Sequence, residues 1–393
     1  MSNTLSQAGL ERLHAAMAER VAAHTLPGAV VLVGTLEDAH VEVFGTTAFE
    51  SEVPMRRETP FRIASLTKPV LAVATLMLAE EGVLGLEDPV NRWLPELADR
   101  RVLKRIDGPL DETVPAHRPI TIDDLLTSRM GFGILTEPTF DPPFPIVEAG
   151  NALGLALGQP DPPTSHSPDE WMRRFGTLPL MYQPGERWLY NAPFSVLGVL
   201  VARAADQSLG DVFASRVFEP LGMRHTGFSL PLDITRHLPS YYMTNFQTGQ
   251  LERRDVSTPE QWSRPPAFPS GAGGLVSTVD DYLAFARVLL NEGAPLLSQG
   301  SLARMTSNHL TPEQIAGGGP ILNGQGWGFG VCVRTAPDAN WPVPGRYGWA
   351  GGYGTAWFND PHRGIVAIAM TQVSDFLWNG GVAEFENLVG AMQ

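Results

Sequence analysis

The chain has 393 residues, 43% of them hydrophobic and 18% charged, a globular balance with enough length to bury a large core. Its formal charge of −14 and pI near 5.1 argue against nucleic acid and against attraction to an anionic membrane, because such partners need a basic face. The single cysteine, Cys332, excludes an intrachain disulfide and a zinc-thiolate cluster.

The opening stretch, "MSNTLSQAGLERLHAAMAER", reads as an amphipathic helix and lacks the basic and apolar regions of an export signal. Apolar runs such as "SVLGVLVA" fall short of a membrane span, so the expectation is a cytoplasmic, reduced protein. "GAVVLVGTLEDAHVEVFGTTA" predicts a hairpin turning near Glu37 and Asp38. "FRIA" then predicts a short strand leading into a helix from Ser65 to about Glu81, stopped by Gly82. "ITIDDLLTSRMGF" reads as a short capped helix. From Thr136 to Ser167 proline and glycine crowd the chain, which predicts a long irregular excursion.

Helices resume with "PFSVLGVLVARAAD" and "SLGDVFASRVFEPLG", and a second irregular stretch covers Leu230 to Ser270. "STVDDYLAFARVLLNEG" predicts a helix capped by Ser277 or Thr278, with Gly293 past its end. "GWGFGVCVRT", "RYGWAGGYGTAWFND" and "GIVAIAMTQV" read as consecutive antiparallel strands, and "FENLVGAMQ" as a closing helix. Strands at both ends and helices between them predict an α/β (α+β) fold, a central antiparallel sheet flanked by helices. The expected division is one domain from residues 1–80 and 270–393, with a mostly helical domain, 81–269, inserted between them.

The chain has only two lysines, and Lys68 stands three residues after Ser65 at the start of the predicted helix. At that spacing the two side chains share a face. Serine is a poor nucleophile until a base removes its proton, and a lysine whose pKa is lowered can do so or can position another base. A serine at a helix start also offers its backbone N–H to an oxyanion. "SLTK" therefore meets the requirements for an activated nucleophile, although a stray S-x-x-K also arises by chance.

The rest of the chain makes the pattern specific. In order along the sequence stand "FRIASLTK", "EGVLGLEDPVNRWLPE", "ITIDDLLTS", "QPGERWLYNAPFSVLG", "FEPLGMRHTGF", "GAGGLVSTVDDYLAF", "GQGWGFGV" and "GWAGGYGTAWFNDP". Together they resemble the serine β-lactamase and penicillin-binding-protein superfamily, in its class C β-lactamase-like branch, and most of all the family VIII carboxylesterases. The resemblance implies a β-lactamase-like fold and a catalytic Ser65, Lys68 and Tyr190, with the tyrosine as general base or as a relay with the lysine. It also implies an oxyanion hole from the N–H groups of Ser65 and Gly352.

Three departures bear on substrate. Relatives that recognise penicillins often carry K-T-G at the third motif, whereas this chain has Trp349-Ala350-Gly351, a W-x-G that suits a neutral group better than a carboxylate. The second motif of β-lactamases is Y-x-N, but here Asn191 comes one place early. "LLTSRMG" stands where relatives often read "LLTHTSG". Trp349, Gly351 and Tyr353 are the expected substrate-contacting residues, with the proline-rich loop near Pro142 as another wall.

No G-x-S-x-G, H-E-x-x-H or Walker loop is present, and the nine histidines are scattered. The reading is therefore a serine carboxylesterase acting on a small-molecule ester through an acyl-enzyme. It needs no metal or organic cofactor and no nucleic-acid or membrane partner, and its oligomeric state is open. Weak β-lactamase side activity is expected, since the same nucleophile can open such rings. The alternatives are a β-lactamase, a D-amino-acid peptidase or amidase, or an acyltransferase on the same triad; an inactive binding or scaffold relative is the alternative of another class.

Overall fold

The computed structural model describes residues 6–135, 143–158, 164–245, 247–254 and 258–392. Helix α1 (Gln7–Ala22) begins where the Ser6 hydroxyl accepts from the Gly9 N–H, and it buries Leu10, Leu13 and Met17 as one stripe. The hairpin β1 (Gly28–Gly34) and β2 (Ala39–Gly45) follows. Three helices carry most of the middle packing: α2 (Thr67–Glu80), α3 (Ala192–Ala205) and α4 (Val279–Leu290). The C-terminal part supplies β3 (Gly326–Trp327), β4 (Cys332–Val333), β5 (Tyr347–Gly351), β6 (Thr355–Asp360), β7 (Ile365–Met370) and α5 (Gly381–Gly390).

These strands form one seven-stranded antiparallel sheet in the order β2-β1-β7-β6-β5-β4-β3, so the N-terminal hairpin joins strands from the far end of the chain. The register sets Val30 opposite Met370, Ile368 opposite Trp357, and Trp357 opposite Trp349. Alternation then sends Val30, Leu32, Trp357 and Ile368 to the face that packs against the middle helices. Val31, Val33, Phe358 and Ala367 go to the opposite face, under α1 and α5. Cover on both faces explains why every residue of β1 is buried and why "GAVVLVG" shows no polar alternation.

Some boundaries differ from expectation. The helix after "FRIA" begins at Thr67, and Ser65 sits in the tighter turn Ala64–Leu66 that feeds it. Thr278, not Ser277, caps α4 by accepting from the Asp281 N–H at 3.3 Å. The closing helix starts at Gly381, because Gly380 at φ 85° takes the left-handed position that launches it. "GWGFGVCVRT" is two short strands separated by Gly330 at φ 72°. A Cβ there would lie 2.9 Å from the Lys68 carbonyl oxygen, so this turn must press close to α2. Among the described residues no helix is long and apolar enough to cross a membrane.

Candidate active site

Ser65 is presented by a strained turn. Ala64 adopts φ 46°, a left-handed conformation that a side chain resists, and the turn is held from both flanks. Thr355 on β6 donates to the Ile63 carbonyl at 3.1 Å, and Tyr282 on α4 donates to the Leu66 carbonyl at 3.1 Å. The turn runs straight into α2, so Lys68 emerges on the same side and its Nζ lies 3.0 Å from Ser65 Oγ.

Lys68 is fully buried. Its Nζ is 2.8 Å from Asn191 Oδ1 and 2.5 Å from the Ala272 carbonyl oxygen. Among the described residues no carboxylate pairs with it, and burial pushes its amine well below the ordinary lysine value. Both carbonyl oxygens only accept. The Asn191 amide orientation is fixed, since Nδ2 donates to the carbonyls of Leu157 and Gly158 at 2.7 and 2.9 Å. A neutral amine has two N–H groups and one lone pair. With both N–H groups on Asn191 and Ala272, the lone pair is left facing Ser65 Oγ, which must donate. A protonated amine would donate to all three oxygens, so the site holds either state without losing a bond.

Tyr190 and Asn191 reach Lys68 together through an unusual backbone. Asn191 has φ 75° and ψ −65°, and the Ala192 N–H donates back to the Tyr190 carbonyl at 3.1 Å, a γ-turn with positive φ. That turn aims both side chains the same way. The asparagine that stands one place early in the sequence therefore still meets the lysine. The Tyr190 ring lies 4.4 Å from Lys68 Nζ, and both Tyr190 and Ser65 line the same cavity.

Burial pushes the Tyr190 phenol up, against smaller opposing effects of the bonds to Ser65 and Trp349. Burial thus favours the protonated phenol. Trp349 also does more than line a wall. Its indole Nε1 donates to the Tyr190 hydroxyl at 2.7 Å, and Trp327 packs against both rings. Trp349, Tyr190, Ser65 and Lys68 thus form one cluster, with Trp349 bonded to Tyr190 and Lys68 to Ser65.

These groups open onto a cavity of about 410 Å³ lined by Ser65, Tyr190, Asn191, Trp349 and Gly352, among others. Gly351 and Tyr353 are placed elsewhere. A Cβ on Gly351 would come within 2.3 Å of the Ile63 carbonyl oxygen, so this glycine lets β5 approach the Ser65 turn and not a substrate. Tyr353 is 0% exposed and packs edge-on against Tyr241 beside Ala64, behind the nucleophile turn. Pro142 lies outside the described residues. Asn191 and the Ala272 carbonyl are the contacts that sequence reasoning missed. No residue-type signal marks a backbone carbonyl, but an asparagine adjoining the tyrosine was visible. Among the described residues, no cluster of histidine, cysteine and carboxylate side chains could hold a metal ion.

The sequence model of the Beta-lactamase family matches residues 13–384. The chain belongs to that family. It is 38% identical over 376 residues to protein Rv1367c of Mycobacterium tuberculosis, covering 92% of this chain and 90% of that one. It is 31% identical over 392 residues to the esterase EstB of Burkholderia gladioli, again covering 92% and 90%. The solved structure of EstCE1, described as a hydrolase with promiscuous acyltransferase activity, superposes with a TM-score of 0.80 at 26% identity, covering 98% of each chain. The β-lactamase-like fold inferred from the motifs is the one observed.

Proposed function

We propose that this protein is a serine carboxylesterase that works through an acyl-enzyme. The observation that carries the reading is the buried Lys68 amine, 3.0 Å from Ser65 Oγ among uncharged oxygens and pushed well below the ordinary lysine value by burial. Ser65 Oγ attacks the ester carbonyl while its proton passes to Lys68 Nζ. The resulting oxyanion is held by the N–H groups of Ser65 and Gly352, the first helped by the dipole of α2. Tyr190 O–H, held in place by the Trp349 indole, gives its proton to the departing alcohol and is reprotonated from Lys68. Water then repeats the sequence on the acyl-enzyme.

The likeness to EstB supports an ester as substrate. The absence of any lysine after Lys104 supports a neutral group, over a β-lactam carboxylate, next to the scissile bond. Transfer to another alcohol differs only in which nucleophile reaches the acyl-enzyme, and weak opening of β-lactam rings remains part of the proposal.

Short p-nitrophenyl esters should turn over, and a fluorophosphonate should label Ser65 in peptide mass spectrometry. Ser65→Ala should abolish both while circular dichroism stays unchanged. A label on another residue, or equal turnover by that variant, overturns the assignment.

A further inference from the structure

The cavity does not stop at the candidate nucleophile. Among the described residues β4 pairs with β5 only at Tyr347 and Gly348, so the stretch from Trp349 to Gly352 has a free edge on that side. Along this edge the cavity reaches both faces of the sheet: Trp349 lines it on one, Ala350 and Ala356 on the other.

The second face is low at that point. Ala350, Ala356 and Ala369 stand side by side across β5, β6 and β7, a row that presents nothing larger than a methyl group. One row away the Phe358 ring fills the space between the sheet and α5 by packing on Phe385. The alanine row has no such ring, and Val382 and Ala383 in the first turn of α5 complete an apolar slot over it. A folded chain ordinarily closes such a gap, because apolar walls without neighbours forfeit both dispersion and burial. Trp378, just before α5, lines the same cavity and is 65% exposed, the most exposed large apolar side chain among the described residues. An indole in that state gains from any apolar group laid against it. The far end of the slot meets Arg334, Arg346 and Glu386, where the carboxylate accepts from both guanidinium groups. An apolar chain is therefore stabilised up to that point and costs free energy beyond it, where it would cover charges.

The proton path decides which half of an ester lies here. Tyr190 O–H meets the departing alcohol, and the Trp349 indole bonds that hydroxyl. The β5 stretch that carries Trp349 therefore flanks the alcohol side of the scissile bond, with the Gly352 N–H at the oxyanion. From Gly352 back to Gly348 the strand spans about 13 Å, room for roughly eight to ten carbons.

We infer that the slot takes the alcohol half of the substrate, and that the substrates are esters of extended apolar alcohols, held between Ala350 and Ala383 with Trp378 against the chain. The inference rests on the ester-hydrolase reading above. Trp378 and Ala383 then set specificity without touching a reacting atom.

The test compares kcat/KM along two series: acetates of n-alkanols from ethanol to dodecanol, and p-nitrophenyl esters of linear acids from acetate to dodecanoate, in which the alcohol half is constant. In the alcohol series kcat/KM should rise about tenfold or more from ethyl to octyl acetate and fall again at dodecyl acetate. Ala383→Phe, which fills the slot from the helix side, should flatten the rise to within about twofold, and Trp378→Ala should cut it about threefold while Trp378→Phe keeps most of it. Both positions are exposed, so the variants should fold, and ethyl acetate, too short to reach either, should turn over as in the wild type. The acyl series should be the same in all of them. A flat alcohol series in the wild type, or variants that alter the acyl series instead, overturns the inference. Calorimetric titration of Ser65→Ala with octyl acetate separates the two readings. Binding that Ala383→Phe abolishes, with no wild-type turnover of any ester, would sink the hydrolase reading alone, whereas turnover without dependence on alcohol length would sink the slot alone.

Discussion

Lys68 and Arg346 are two cationic side chains that the fold takes almost wholly out of water, and their surroundings differ in kind. Lys68 meets only uncharged oxygens, from Ser65, Asn191 and Ala272, so burial drives it toward the neutral amine. Arg346 cannot take that route, and the fold instead gives it the Glu386 carboxylate and two aromatic faces. One position is built to let a proton come and go, the other to keep a fixed charge. The chain draws its positive charge almost entirely from arginine, and the lysine stands where deprotonation is useful.

If that contrast is right, Lys68→Arg should be the most damaging exchange of like charge in the molecule. The guanidinium would keep its protons and offer Ser65 no lone pair. We expect kcat for a short p-nitrophenyl ester to fall about 10³-fold, close to the loss in Lys68→Met. An arginine variant within tenfold of wild type would mean that Lys68 acts by charge and not as a base.

The same difference has a signature in pH. Lys68 has a lowered pKa in the folded protein and an ordinary one, near 10.4, when unfolded. Between those values the unfolded chain binds a proton that the folded chain does not, so stability rises with pH there. The slope from this group approaches about 1.4 kcal/mol per pH unit, and denaturant titrations should show Lys68→Met losing it. In activity the sign is the same: kcat/KM should fall as pH drops through the folded-state pKa. An unchanged slope in the variant would place the depressed titration elsewhere.

Much of this was legible in the sequence, and for identifiable reasons. Hydrophobic runs and glycine breaks marked β1, α2 and the last strands, because cover on both faces leaves long apolar runs, whereas the edge strand β2 showed by alternation. Ser65 and Lys68 were legible because helical spacing alone brings them together. The link between Tyr190 and Lys68 spans more than a hundred residues, and only the ordered motifs pointed to it. Asn191 looked displaced because a residue pattern does not show a γ-turn. The polar role of Trp349 was hidden for a similar reason: a tryptophan reads as apolar until its N–H is seen to have an acceptor. Tyr353 was misjudged because sequence adjacency to the third motif does not say which side of the turn a ring takes.

On the Arg346 side, Glu386→Gln should reveal how far the carboxylate stabilises the paired guanidinium groups. Both bonds would become uncharged-acceptor bonds, and one of the guanidiniums is 3% exposed. Because Glu386 is partly exposed, the loss should be moderate, about 1–2 kcal/mol in chemical denaturation. Wild-type stability in the variant would mean that the aromatic rings alone suffice to hold Arg346.

The smallest effect concerns the bond between Trp349 and Tyr190. Trp349→Phe keeps most of the ring but removes the N–H that Tyr190 accepts. The Tyr190 hydroxyl would then lose the donor that fixes its position. Loss of one neutral hydrogen bond corresponds to about 0.5–1.5 kcal/mol, so kcat should drop roughly three- to tenfold, with KM for a small ester little changed. The discriminating experiment is a double-mutant cycle with Tyr190→Phe. If Trp349 acts through the phenol, the double variant should be no slower than Tyr190→Phe alone, because the indole then has no hydroxyl to orient. If the two losses multiply, Trp349 acts on substrate directly and not through the phenol.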